Sequence, residues 1–152
     1  MSVPAPVSLQ TIIAELAVAT AYASAAGIGL DTTTLAETNL RFYATFYNLN
    51  KEPFYAEFDC ANYPLFPPTI EFVNEARTAR GLQSLYPAGF HATPCVCMRY
   101  NRKAYGERGG PHGEWRLIDW QLPTDGGGPI DSLAMILSDL HSKIMESTGR
   151  MG

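Results

Sequence analysis

Tyr63-Pro64-Leu65-Phe66-Pro67-Pro68 opens the stretch whose reading decides the fold. Three prolines in six residues fix the backbone and remove three N–H donors. Such a segment cannot be a helix or an interior strand; it predicts a rigid turn, one that accommodates a cis X-Pro bond. Directly behind it, Thr69 to Val73 predicts a short strand with Ile70 and Phe72 inward. The stretch continues to His91-Ala92-Thr93-Pro94-Cys95-Val96-Cys97-Met98, where two thiols stand in an apolar frame.

Upstream, Leu40 to Tyr47 and Pro53 to Cys60 each alternate apolar and polar residues around Asn48-Leu49-Asn50-Lys51. Period-two alternation on both sides of a polar turn predicts an antiparallel hairpin. Cys60 shares the apolar face and reads as core. Before the hairpin, Leu9, Ile12, Ile13, Leu16 and Ala19 recur at helical spacing. With Ser8 as N-cap and Gly27 as terminator they predict a helix from Leu9 to Ala26, preceded by a flexible leader over residues 1–7. Glu15 is its only charged residue, so its remaining surface suits close packing on a sheet or a docked partner.

Downstream, Glu75 to Tyr86 allows a helical turn before Pro87. Residues 99–128 are rich in Gly, Arg and Pro and predict a long loop region, with Asp125-Gly126-Gly127-Gly128-Pro129 as a clear breaker. Leu133, Ile136, Leu137, Leu140 and Ile144 then form a helical stripe, predicting a closing helix from about Ile130 to Met145 with Gly149 beyond its end. His141 falls off that stripe and is expected to be exposed. Helix, antiparallel meander, thiol segment, helix: the class is α+β, a single domain over residues 1–152.

With 152 residues, 46% apolar and 17% charged, the chain is expected to fold around a real core. Its net charge of −4 argues against a nucleic-acid binder. Arg99, Arg102, Lys103, Arg108 and Arg116 nevertheless cluster behind the cysteine pair. Cys60, Cys95 and Cys97 are too few for a disulfide framework and fit a reducing compartment. The first basic residue is Arg41, so no charged signal-peptide start is present. No apolar run is read as long enough to span a bilayer. Cytoplasmic, with no membrane partner and no cofactor, is the expectation.

These pieces resemble the ubiquitin-conjugating enzyme (UBC-like) family over roughly Leu9 to Met145. Tyr63-Pro64-Leu65-Phe66-Pro67-Pro68 resembles the family's proline signature, Val96-Cys97-Met98 its apolar-Cys-apolar triplet, and Trp120-Gln121-Leu122-Pro123 its Trp-x-x-Pro before the crossover helix. The resemblance implies an N-terminal helix, a meander sheet of about four strands and a C-terminal crossover helix. It also implies an activity: a ubiquitin-like modifier is accepted from an activating enzyme as a thioester on Cys97 and transferred to an amine of a target protein. There are departures. His91-Ala92-Thr93 stands where the family usually has His-Pro-Asn, the His91 to Cys97 spacing is short, and the loop from Cys97 to Trp120 is long. Such divergence resembles the conjugating-enzyme homologues of bacterial ubiquitin-like operons, including antiphage systems.

The chemistry needs one accessible thiolate, which is both a good nucleophile and a good leaving group. Cys97 is the candidate and Cys95, two residues away, its rival and a possible oxidative partner. Arg99, Arg102 and Lys103 would favour the thiolate if the loop folded back; otherwise they solvate it. Thr93 aligns with the family's oxyanion-stabilising Asn, though a backbone N–H could serve. His91 is read as holding a turn. His112 is placed to activate the thiol or the incoming amine, or to be an exposed loop residue without a role. Asp119 could accept a proton from an attacking lysine. Rival readings are a zinc site from Cys95, Cys97, His91 and His112, whose Cys-x-Cys spacing is not that of a common structural site; a Cys97–His112–Asp119 hydrolase; and a non-catalytic UBC-like scaffold.

Overall fold

The computed structural model describes residues 1–123 and 128–152. The Asp125-Gly126-Gly127 part of the sequence breaker lies outside the described residues. Helix α1 (Ala5–Ala26) is followed by strands β1 (Gly29–Asp31), β2 (Arg41–Tyr47), β3 (Pro53–Asp59) and β4 (Thr69–Val73). Helix α2 (Leu133–Met145) closes the order. The strands form one antiparallel meander in the order β1-β2-β3-β4.

The hairpin forms at the expected place because alternation and turn chemistry agree. Phe42, Ala44 and Phe46 lie opposite Phe58, Ala56 and Phe54. All six are buried, and Phe42 stacks on Phe58 at 4.8 Å between ring centroids. In the turn, the Asn48 side-chain oxygen accepts from the N–H groups of Asn50 and Glu52, both at 2.9 Å. Lys51 there takes φ 62°. Cys60 is fully buried, as its place on the apolar face predicts. Strand β1 was not foreseen: three residues beginning with glycine carry too little alternation to read.

The inner face of the sheet is aromatic, and the two helices cover it. Helix α1 buries Ile12, Leu16, Ala19 and Ala23; α2 buries Leu133, Ile136, Leu137, Leu140 and Ile144. The helices pack on each other, α1 against β1 and α2 against β2. Burying one such Leu, Ile or Phe side chain stabilises the fold by roughly 1.5–3 kcal/mol. The outer face is polar. Arg80 bridges Glu57 and Glu71, Lys103 also reaches Glu71, and the Tyr43 hydroxyl donates to Glu57 at 3.0 Å. Burial works against the Glu57 charge, but Arg80 and Tyr43 outweigh it and hold that carboxyl below its ordinary range.

Several sequence expectations are corrected. Helix α1 starts at Ala5, so residues 5–7 of the leader expected over residues 1–7 are already helix; Val3 N–H also donates to Asn62 at 3.0 Å. Pro6 sits in the first turn, where its missing N–H costs nothing. Ser8 is not the N-cap. It lies inside the helix, buried, and its hydroxyl donates to the Tyr63 carbonyl at 2.7 Å. Helix α1 spans 22 residues with an 18-residue window of mean hydropathy 1.3, so by length and composition it could cross a bilayer, contrary to the sequence reading. Helix α2 begins at Leu133, because Ser132 is its N-cap, accepting from Met135 N–H at 3.3 Å. His141 is not exposed: it lies edge-on to Tyr22 between the helices, its Nδ1 buried without a partner.

Candidate functional site

The proline turn and the thiol segment are held by side chains that reach across the chain. The Tyr63–Pro64 bond is cis. The Trp120 indole N–H is shared between the carbonyls of Pro64 at 3.1 Å and Leu65 at 3.2 Å, so the two sequence motifs meet directly. The Tyr63 hydroxyl donates to Glu15 at 2.6 Å, and the Leu133 N–H donates to the same oxygen at 2.8 Å. The one charged residue of α1 thus satisfies an unpaired N–H in the first turn of α2 and the phenol of the proline turn together.

Asn101 braces the cysteine segment. Its side-chain oxygen accepts from Ile70 N–H at 2.8 Å and Lys103 N–H at 3.1 Å; its amide donates to Val96 at 2.9 Å and Ile70 at 3.3 Å. The residue is fully buried and every hydrogen-bonding position is used. It therefore holds backbone and cannot serve a reacting oxyanion. Sequence reading missed it, since nothing in Tyr100-Asn101-Arg102 signals a tertiary brace.

The three thiols differ sharply. Cys60 is sealed in the core, Cys95 is 3% exposed, and Cys97 is half-buried. Cys97 lines two adjoining hollows. The first, about 390 Å³, is bounded by Phe90, His91, Val96, Lys143 and Glu146 among others. The second, about 250 Å³, is bounded by Arg99, Trp115, Trp120, Leu122 and Ile130. Cys97 and Met98 belong to both, so these two residues form the partition between them. Burial pushes the Cys97 thiol above its ordinary value, while a hydrogen bond from the Cys95 thiol works the other way. Cys95 itself is pushed up to about 12, by burial first and then by that bond. The two thiols thus influence each other, Cys95 favouring the Cys97 thiolate and Cys97 disfavouring that of Cys95.

The other expected site residues fall in different places. His91 lines the first hollow and holds a turn: its Nδ1 accepts from Thr93 N–H at 3.2 Å and pairs with the Thr93 hydroxyl at 2.8 Å. Its carbonyl accepts from Cys95 N–H at 3.1 Å. Thr93 is exposed, engaged with His91, and lines neither hollow, so it is not aimed at the thiol as an oxyanion donor. His112 also lines neither hollow. It stacks on Trp115 at 3.8 Å and bonds Glu114 at 2.9 Å, so it supports the wall of the second hollow. Asp119 pairs with Arg116.

The basic cluster does not converge on the thiol. Arg102 pairs with Glu107 and lies over Phe66. Lys103 turns to Glu71 on the outer face of the sheet. Only Arg99 lines a hollow beside Cys97, with its guanidinium 5.0 Å from the Trp115 ring centroid. The loop carrying Trp115 is drawn in tightly. Gly110 lies so close to Lys103 and Ala104 that a Cβ there would clash with their backbone. Among the described residues, no group of His, Cys, Asp and Glu could hold a metal ion.

No family model, curated protein or solved structure matches the chain.

Proposed function

We propose that the chain is a ubiquitin-like protein conjugating enzyme of UBC-like fold, carrying the modifier as a thioester on Cys97. One observation carries this reading. Of three thiols, only Cys97 reaches solvent appreciably, and its residue lines two hollows, the second of them walled by Trp120, which is bonded to the Tyr63–Pro68 turn. The Cys97 thiolate attacks the thioester carbonyl presented by the activating enzyme, whose own thiolate leaves. An amine of the target then attacks the Cys97 thioester and Cys97 leaves. Two hollows that both reach Cys97 would give acyl chain and amine separate approaches. Bacterial ubiquitin-like operons, including antiphage systems, are the setting this reading favours.

The test is to combine the chain with a ubiquitin-like modifier, its activating enzyme and ATP. A reductant-labile adduct is expected, lost in Cys97→Ser and kept in Cys95→Ser. The opposite pattern would move the site to Cys95. An adduct independent of both cysteines, or none at all, would remove the catalytic reading.

A second reading, a UBC-like scaffold that binds without catalysis, is favoured by one specific observation: burial raises the Cys97 thiol, and the only group opposing that is the neutral thiol of Cys95.

A further inference from the structure

The first hollow holds an amine of the chain's own. Lys143 lines it together with Cys97 and Glu146, four residues along α2 from Asp139. The Lys143 ammonium pairs with Asp139 Oδ2 at 2.8 Å, and the buried Tyr100 hydroxyl donates to that same oxygen at 2.6 Å. Asp139 is thereby fixed from beneath, and it holds the lysine at the rim of the cavity. The chain has only two other lysines, and neither lines a hollow that Cys97 lines. Lys103 is bound to Glu71 on the outer face of the sheet, and Lys51 lies in the turn between β2 and β3.

We propose that Lys143 is a self-modification site, the intramolecular acceptor of an acyl group carried on Cys97. This rests on the conjugation reading for the identity of the natural acyl group, the C-terminus of a ubiquitin-like modifier. The Lys143 ammonium first gives one proton to solvent, and the amine so formed attacks the thioester carbonyl. A C–N bond forms, the C–S bond breaks, and Cys97 leaves as a thiolate. The surplus proton on nitrogen passes to Asp139 and from there, through solvent, to the sulfur. The products are an amide on Lys143 and a free Cys97 thiol, with no oxidant or co-reactant. Sharing one cavity turns a bimolecular encounter into a local one. The product would fill the first hollow, so self-modification would close that approach to the thiol.

The experiment uses the full chain and a small acyl donor, the mercaptoethanesulfonate thioester of acetyl-Gly-Gly, so that no activating enzyme is needed. After exchange, hydroxylamine removes thioesters, and peptide mass spectrometry maps the acyl groups that resist it. Resistant acyl is expected on Lys143 at least about tenfold above Lys51 or Lys103. Its rate should be independent of protein concentration, and it should be absent in both Cys97→Ala and Cys97→Ser. Acylation of Lys143 at an undiminished rate in those variants, an even spread over the three lysines, or no exchange onto Cys97 would each overturn the inference. If Cys97 takes the probe and Lys143 stays bare, the lysine assignment falls and the conjugation reading stands. If the probe reaches Lys143 through Cys97 but no labile modifier adduct forms, the conjugation reading falls and the lysine assignment stands.

Discussion

Asn101 pairs with Ile70 as a neighbouring strand residue would, accepting from its N–H at 2.8 Å and donating to its carbonyl at 3.3 Å. A side chain thus takes the edge of β4 and, through Val96, fastens the cysteine segment to the sheet. Asn101→Ala should cost about 3 kcal/mol, because it strands buried backbone groups on both segments. Urea denaturation of the variant checks the magnitude. A change under about 0.5 kcal/mol, the size expected for a plain surface substitution, would mean the brace carries nothing.

Removing the Glu15 carboxylate unpairs the Tyr63 phenol and the Leu133 N–H together. Glu15→Ala is expected to destabilise the fold by about 2 kcal/mol, and Glu15→Gln by less, since its amide oxygen can still accept. Thermal unfolding of the two variants side by side gives the comparison; equal losses would contradict it.

Alkylation should rank the thiols. Iodoacetamide is expected to modify Cys97 first, with Cys95 and Cys60 protected by burial. The rate at Cys97 should rise with pH, with a midpoint above the ordinary thiol value. Cys95→Ala removes a donor that favours the thiolate, so that midpoint should move further up; Cys95→Ser keeps a donor and should move it less. A downward move in Cys95→Ala would contradict that contribution of Cys95.

Gly110→Ala tests how tightly the Trp115 loop is drawn in. The added methyl meets backbone atoms of Lys103 and Ala104, which cannot rotate away. A loss of about 1–3 kcal/mol is expected. Trp115 fluorescence is too mixed with Trp120 to report alone, so Gly110→Ala should also be made in Trp120→Phe, where a red shift would show that the His112–Trp115 stack has opened.

Asp31 offers a pH test away from the thiols. Its carboxyl is held down to about 2 by the Thr33 hydroxyl, then the Thr33 N–H, then Arg77, with burial opposing. A carboxyl lowered in this way contributes stability that is present above its ordinary value of 3.8 and lost as pH falls toward about 2. Carbon-detected NMR titration should find that midpoint, and Thr33→Ala should raise it.

The periodic elements were legible. Phe42 to Phe46, Phe54 to Phe58, and Leu133 to Ile144 repeat at the spacing of the faces they bury, and those faces are buried. The start of α1 was not, because Pro4 and Pro6 read as breakers although a first helical turn loses no hydrogen bond to proline. Within the candidate site, the thiols could be found by eye but their surroundings could not. Arg102 and Lys103 follow Cys97 closely in sequence, yet the 3-10 turn at Arg102–Ala104 directs them to Glu107 and Glu71. Asn101, Lys143 and Trp115 meet the cysteine segment only through tertiary packing, which no local pattern encodes.

Helix α1 is apolar nearly all the way round: Ile13 and Val18 are solvent-exposed while Ile12 and Ala19 are buried. Such a helix has almost no amphipathic preference for one rotational setting over another. A slip of one residue would swing the helix by about 100° and put Leu9, Ile13, Ala17, Thr20 and Ser24 where Ser8, Ile12, Leu16, Ala19 and Ala23 are buried. The polar contacts would object: Ser8 has to reach the Tyr63 carbonyl, and Glu15 has to meet both the Tyr63 hydroxyl and the Leu133 N–H. Those contacts work as a key in a smooth shaft, setting the angle at which an otherwise featureless cylinder is mounted, and with it which uncharged face is turned outward.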